Sequence, residues 1–184
     1  MCSPLRKKLP DFPWDALAPY GVKARKHPGG IIDLSQGTPV DPTPEFIQKV
    51  LAESANSPSY PTTAGTPELQ QAIRTWATSH LDISGDFDVL PVIGSKELVA
   101  WLPTFLQSQT VLYPKIAYPT YLVGAMLAQS NEIAVDIDAS HWPLADLAWV
   151  NSPANPTGRV HSQEELRAVI QWSRKNKAVV ISDE

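Results

Sequence analysis

One pattern restricts the fold of this chain more than any other: short apolar runs alternate with segments of helical spacing. Runs at 89–93, 110–113, 132–137, 147–150 and 178–181 have the length of single strands. Between and after them, residues 97–106, residues 119–129 and the stretch opened by Ser162 repeat apolar positions every three to four residues. A strand that is apolar on consecutive positions needs cover on both faces. Strands joined through helices run parallel, because the crossover returns the chain to the same end of the sheet. The pattern therefore predicts an α/β fold: a three-layer αβα arrangement around a mostly parallel sheet.

The stretch before residue 43 reads differently. Pro4, Pro10, Pro13, Pro19, Pro28 and Pro39 interrupt any long helix, Gly29-Gly30 marks a turn, and Ile31, Ile32 and Leu34 suggest one short strand. Residues 1–40 are expected to form an irregular arm, and 41–184 the main domain. Proline is 18 of 184 residues, about 10% against a usual ~5%, but it is spread along the chain and sits at turns and helix starts. Thr43-Pro44-Glu45 and Thr66-Pro67-Glu68 use one device twice: threonine to cap, proline at the first helical position, glutamate at the positive end. Phe46, Ile47, Val50 and Leu51 follow the first, and Leu69, Ile73, Trp76 and Ala77 the second, each set on one helix face. Residues 60–65 between them form a loop. Ser162-Gln163-Glu164-Glu165 is a capping box that opens a helix with Leu166, Val169 and Ile170 on one face. Glycine at 94 stops the first apolar run, and Pro103 is expected to kink or end the helix after it.

Composition removes several classes of function. A net charge of −4 leaves no basic surplus for phosphates of nucleic acid. No apolar run approaches the roughly 18–20 residues of a membrane span. The charges at Arg6, Lys7 and Lys8 are not followed by the apolar stretch of a secretory signal. Cys2, the one cysteine, has no partner for an internal disulfide, as in a reducing compartment such as the cytoplasm. His27, His80, His141 and His161 lack short metal-ligand spacing, and no metal site is expected.

Ligands of open α/β sheets collect beyond the carboxyl ends of the strands. Gly94-Ser95-Lys96 follows the first run: an ordinary helix start, or backbone N–H groups and a hydroxyl offered to an anion, at a spacing unlike a P-loop. Tyr118 follows the second, as loop packing or as a ring that stacks on a flat cofactor. Asn155 follows the fourth, as a turn residue or an amide donor to a ring oxygen. Asp183 follows the last, as a cap, a metal ligand or a partner for a protonated pyridine nitrogen. Together the four meet the edge of pyridoxal phosphate (PLP): phosphate, ring face, ring oxygen and ring nitrogen.

From about residue 9 to 184 the sequence resembles the class I/II aminotransferases of the fold-type-I PLP-dependent family. The residues that carry the resemblance are Asn-Ser-Pro-Ala-Asn-Pro-Thr-Gly at 151–158, Tyr-Pro-Thr-Thr-Ala-Gly-Thr at 60–66, Ala-Tyr-Pro-Thr-Tyr at 117–121 and Ser-Asp-Glu at 182–184. Segments 9–15, 33–42 and 94–103 are similar to a narrower group, the actinobacterial N-succinyldiaminopimelate aminotransferases. The resemblance implies that Gly94, Ser95 and Lys96 hold the PLP phosphate. It implies that Tyr118 stacks on the ring, Asn155 meets its 3-oxygen and Asp183 its nitrogen. Tyr60 would reach the phosphate of the neighbouring subunit of a homodimer, and Gly37 would lie near the substrate carboxylate. Substrates would be amino acids and keto acids, with glutamate and N-succinyl-2-amino-6-oxopimelate as the pair. Other members of the family, such as aspartate or aromatic aminotransferases and β-lyases, share these loops. The family's Schiff-base lysine stands in a Ser-x-x-Lys setting well after the Asp-Glu strand, and none of the nine lysines has that context. The chain is thus expected to be the arm and the first half of the large domain, with no catalytic lysine of its own and no activity alone. A non-catalytic truncated fragment is the other reading.

Overall fold

The computed structural model describes residues 9–35, 37 and 39–184; Cys2 and the charges at 6–8 lie outside them. The chain divides into two compact units, Asp11–Val92 and a second built on Ile93–Glu184.

The first unit is helical: α1 (Pro13–Ala24), α2 (Glu45–Glu53) and α3 (Pro67–His80). α1 corrects the expectation of an irregular arm. Pro13 sits at its start, where no N–H is needed, and the helix passes through Pro19. Ile31, Ile32 and Leu34 form no strand. Thr66 caps α3 as expected, accepting from the Leu69 N–H at 3.2 Å. Thr43 does not cap α2: Pro44 holds that position, without a side-chain bond. The apolar faces read from spacing are largely exposed here, Phe46, Val50, Leu51 and Trp76 among them. Gly65 ends the 60–65 loop at φ +77°, and a Cβ there would meet Pro91 Cγ at 2.7 Å, so only glycine fits. Arg74 ties α3 to the chain beyond it, donating to the Phe87 carbonyl and pairing with Asp88 at 3.1 Å.

The second unit is the three-layer arrangement. Its elements are α4 (Ser95–Phe105), β1 (Thr110–Pro114), α5 (Thr120–Leu127), β2 (Asn131–Val135), a 3-10 turn (Ala139–His141), β3 (Leu147–Asn151), α6 (Gln163–Asn176) and β4 (Val179–Asp183). The four strands are parallel in the order β2-β1-β3-β4. Alternation along the strands divides the core in two. Val111, Leu147 and Trp149 pack with Val99, Tyr121 and Ala125 on the α4/α5 side. Leu112, Ala148 and Val150 pack with Val169 and Trp172 on the α6 side. The capping box of α6 is complete: Ser162 Oγ accepts from the Glu165 N–H at 3.2 Å, and Glu165 Oε2 accepts from the Ser162 N–H at 2.8 Å.

The run at 89–93 is not a strand. A strand exists through its ladder, and no described segment forms one with this run; Leu90 and Ile93 are exposed. Pro103 does not end α4, which continues to Phe105. Pro103 has no N–H for the Val99 carbonyl. That carbonyl belongs to the backbone against which α5 packs, because a Cβ on Gly124 would lie 2.9 Å from the Ala100 oxygen and 3.1 Å from the Val99 oxygen. On an exposed helix Gly→Ala gains about 1 kcal/mol. Gly124→Ala is expected to reverse that sign and cost about 1–3 kcal/mol, because backbone cannot step aside as a side chain can. Urea unfolding of the protein checks it: the midpoint should fall, and a rise would mean that α4 and α5 do not approach this closely.

Candidate functional site

The carboxyl edge of the sheet collects the polar residues of the second unit. β3 and β4 each run to a polar last residue, and their register pairs Asn151 with Asp183. The strands are thus longer than their apolar runs, and Asp183 belongs to the ladder rather than to a loop beyond it. Ser95, Lys96, Tyr118, Tyr121, Asn151, Asn155 and Asp183 line one cleft of about 270 Å³. Of the residues singled out from the sequence, Ser95, Lys96, Tyr118, Asn155 and Asp183 are brought together here. Gly94 stands at the N-cap of α4, in extended backbone. Gly37 and Tyr60 belong to the first unit, where both are exposed and Tyr60 is 99% accessible.

The cleft has groups with no partner among the described residues. α4 begins at Gly94 without a side-chain cap. The Ser95 hydroxyl and the Asn155 side-chain amide make no hydrogen bond to any described residue. Tyr118 is half-buried and meets Tyr121 edge-on, centroids 6.0 Å apart. Asp183 accepts from the Tyr121 hydroxyl on Oδ2 alone. The set thus comprises a helix N-terminus, a ring, an amide and one open carboxylate oxygen, the chemistry required by a flat anionic cofactor with an ionisable ring nitrogen.

Two contributors have no role that the sequence alone assigns. Tyr121, the ring three residues after Tyr118, is fully buried and stacks on Trp149 at 4.9 Å while its hydroxyl reaches Asp183. Asn151 is 6% exposed and bonds to both Asp183 and the Asn155 backbone. Both lie within the motifs at 117–121 and 151–158, but their roles depend on what stands opposite in three dimensions. A second cavity, of about 310 Å³, adjoins Asn151 and is lined by Ile116, Val135 and Trp142. Two ion pairs flank it, Lys115 with Asp136 and Arg159 with Glu165, and Trp149 Nε1 and His161 Nδ1 in its wall are buried without a partner among the described residues.

Burial holds the Tyr121 phenol well above the usual tyrosine range, and the bond to Asp183 and its charge add to this. The neutral phenol is the form that the fold prefers. The stability from this shift is therefore complete below the unfolded tyrosine value near pH 10 and is lost as pH rises above it. Ultraviolet titration should find that Tyr121 does not ionise with the other tyrosines. The Tyr121→Phe protein should show the same ionisation amplitude as the parent up to the onset of alkaline unfolding. A loss of one tyrosine's worth of amplitude would contradict the buried bond.

The family model for aminotransferase class I and II matches residues 29–184. The chain is 42% identical over 184 residues to the 4-dedimethylamino-4-oxo-anhydrotetracycline transaminase OxyQ of Streptomyces rimosus, covering 97% of this chain and 51% of that protein. It is 46% identical over 182 residues to the "Probable aminotransferase Rv1178" of Mycobacterium tuberculosis, covering 96% of this chain and 44% of that protein. Among solved structures, one titled probable N-succinyldiaminopimelate aminotransferase, from Thermus thermophilus, superposes with a TM-score of 0.79 at 29% identity, over 92% of this chain and 51% of that one. The chain spans about half the length of the curated relatives it matches. With the match extending over most of its length and the parallel sheet and strand-end residues in place, the chain belongs to the class I and II aminotransferases.

Proposed function

We propose that this chain supplies the cofactor-holding half of a PLP-dependent aminotransferase. The observation that carries the reading is that Ser95, Lys96, Tyr118, Asn155 and Asp183 line a single cleft at the carboxyl edge of one sheet. The residues fit the group. The first turn of α4 suits a dianionic phosphate, through its amides and the positive end of the helix. The Asn155 amide suits the ring's 3-oxygen, and the open Asp183 oxygen suits a protonated ring nitrogen. Tyr118 is the ring free to stack, since Tyr121 is already held against Trp149.

When bound, PLP supplies an electron sink for the carbon that bears the amino group. The chain's part is to hold that sink in working order. Asp183 keeps a proton on the ring nitrogen, and the Tyr121 hydroxyl fixes the orientation of the carboxylate that does so. Asn155 would orient the ring through its 3-oxygen. Tyr118 covers one face and keeps water from it. The helix N-terminus fixes the phosphate end, so the ring cannot pivot. The lysine of the family belongs to the part of the relatives that this chain does not span; Lys96 serves the phosphate end.

The substrates follow the same reading: glutamate as amino donor and a keto or aldehyde acid as acceptor. The likeness to the Thermus protein supports N-succinyl-2-amino-6-oxopimelate. The likeness to OxyQ supports a second reading, a ketone on a fused ring system. Gly37 would lie near the substrate carboxylate, and Tyr60 would reach the phosphate in a second copy of the protein, in a cytoplasmic homodimer. No helix among the described residues is long and apolar enough to cross a membrane.

In the full-length protein, Asp183→Asn is expected to lower glutamate-dependent transamination by about a hundredfold or more, the size typical of losing one preorganised electrostatic partner. A loss of only a few fold would remove Asp183 from this role. Tyr118→Ala should weaken PLP binding roughly tenfold to a hundredfold, from ~1–3 kcal/mol of stacking. An affinity within twofold of the parent in a cofactor titration would remove Tyr118 from the stacking role. Assays with the succinylated oxo acid and with a fused-ring ketone decide between the two acceptors.

A further inference from the structure

Asn151 is the last residue of β3 and buried, yet no part of the cofactor reading uses it. Its side chain makes two hydrogen bonds. The Nδ2 group donates to the Asp183 carbonyl at 2.8 Å, and Oδ1 accepts from the Asn155 N–H at 2.6 Å. The amide's orientation is fixed by its partners: a backbone carbonyl can only accept, and a backbone N–H can only donate. The register Asn151↔Asp183 puts the first partner directly across the ladder, and the second lies four residues along the chain. One buried amide therefore ties together the two residues proposed to meet the ring nitrogen and the ring's 3-oxygen.

We propose that Asn151 is a positioning residue for the cofactor: it sets the Asn155 amide and the Asp183 carboxylate at a fixed separation. The inference rests on the function proposed above. Asn155 needs such a tie. It is exposed and sits in a loop, and its own side chain has no partner among the described residues. The loop is closed beyond it by Gly158 donating to the Ala154 carbonyl at 2.6 Å and Ala154 donating to the Arg159 carbonyl at 2.8 Å. These bonds shape the loop without fixing it to the sheet. His161 donates to Ser152 Oγ at 3.0 Å, and Ser152 donates to the Asp183 carbonyl at 3.2 Å, which secures the loop's base. Asn151 is the side chain that connects Asn155 itself to the ladder. Neither Asn151→Asp nor Asn151→Ala keeps both bonds: aspartate retains the acceptor for Asn155 and loses the donor to Asp183, and alanine loses both.

The test uses the full-length protein and three readouts. Amide hydrogen exchange of the parent without PLP should find the Asn155 N–H protected despite its exposed loop; rapid exchange overturns the proposal whatever the variants do. Asn151→Ala should raise the PLP dissociation constant by about tenfold and shift the midpoint of the bound cofactor's absorbance as pH is varied. Asn151→Asp should restore Asn155 protection but not the absorbance midpoint. PLP affinity within twofold of the parent and an unmoved midpoint in Asn151→Ala would overturn the positioning role. If the parent itself does not bind PLP, the proposed function fails, and the exchange measurement still decides whether Asn151 holds Asn155.

Discussion

The burial of β3 along its whole length is the constraint on which the rest of the second unit depends. All five residues of Leu147–Asn151 are buried, with β1 on one side and β4 on the other. In such a strand every backbone group must find its ladder partner, and every side chain faces a helix layer. Leu147 and Trp149 then belong to the α4/α5 side, and Ala148 and Val150 to the α6 side. A one-residue slip would exchange these sets and place Trp149 where alanine and valine pack against α6. The same register fixes the final pair, Asn151 with Asp183, at the edge where ligands of such sheets collect.

The core and the site meet in Tyr121. Its ring completes the packing around Trp149, and its hydroxyl ends at Asp183. Core packing thus fixes the carboxylate from below while the ladder fixes its backbone. The close approach of α5 to α4 at Gly124 belongs to the same arrangement, since Tyr121 lies one turn before that glycine and Ser95 opens the helix on which it packs. Asn151 separates the cleft from the neighbouring apolar cavity and contributes to the walls of both.

What local chemistry encodes is legible in the sequence. The parallel αβα class follows from apolar runs alternating with amphipathic helices. Thr66 and Ser162 are legible as caps because a cap is a contact over three residues. Errors arise where a distant partner decides. The run at 89–93 has strand composition but no ladder beside it. Pro19 and Pro103 read as helix breaks, yet each sits in a helix whose other bonds outweigh one lost donor. Thr43 looks like Thr66 in sequence, and the helix begins one residue later than that likeness suggests. At the site, residue types that announce chemistry, such as Asp183 and Asn155, can be singled out from sequence, and the structure brings these two into one cleft. The contacts of Tyr121 and Asn151 are not legible, because they depend on which residue faces them across the sheet.

The central claim is that the cleft between α4 and the ends of β3 and β4 holds PLP in one orientation. The most direct measurement is a crystal structure of the full-length protein grown with PLP. The phosphate should lie against the first-turn amides of α4 at Ser95 and Lys96, with the ring over Tyr118 and its nitrogen within hydrogen-bond distance of Asp183. PLP bound in the neighbouring cavity beside Trp142 and Val135, or with its ring nitrogen turned away from Asp183, would contradict the account.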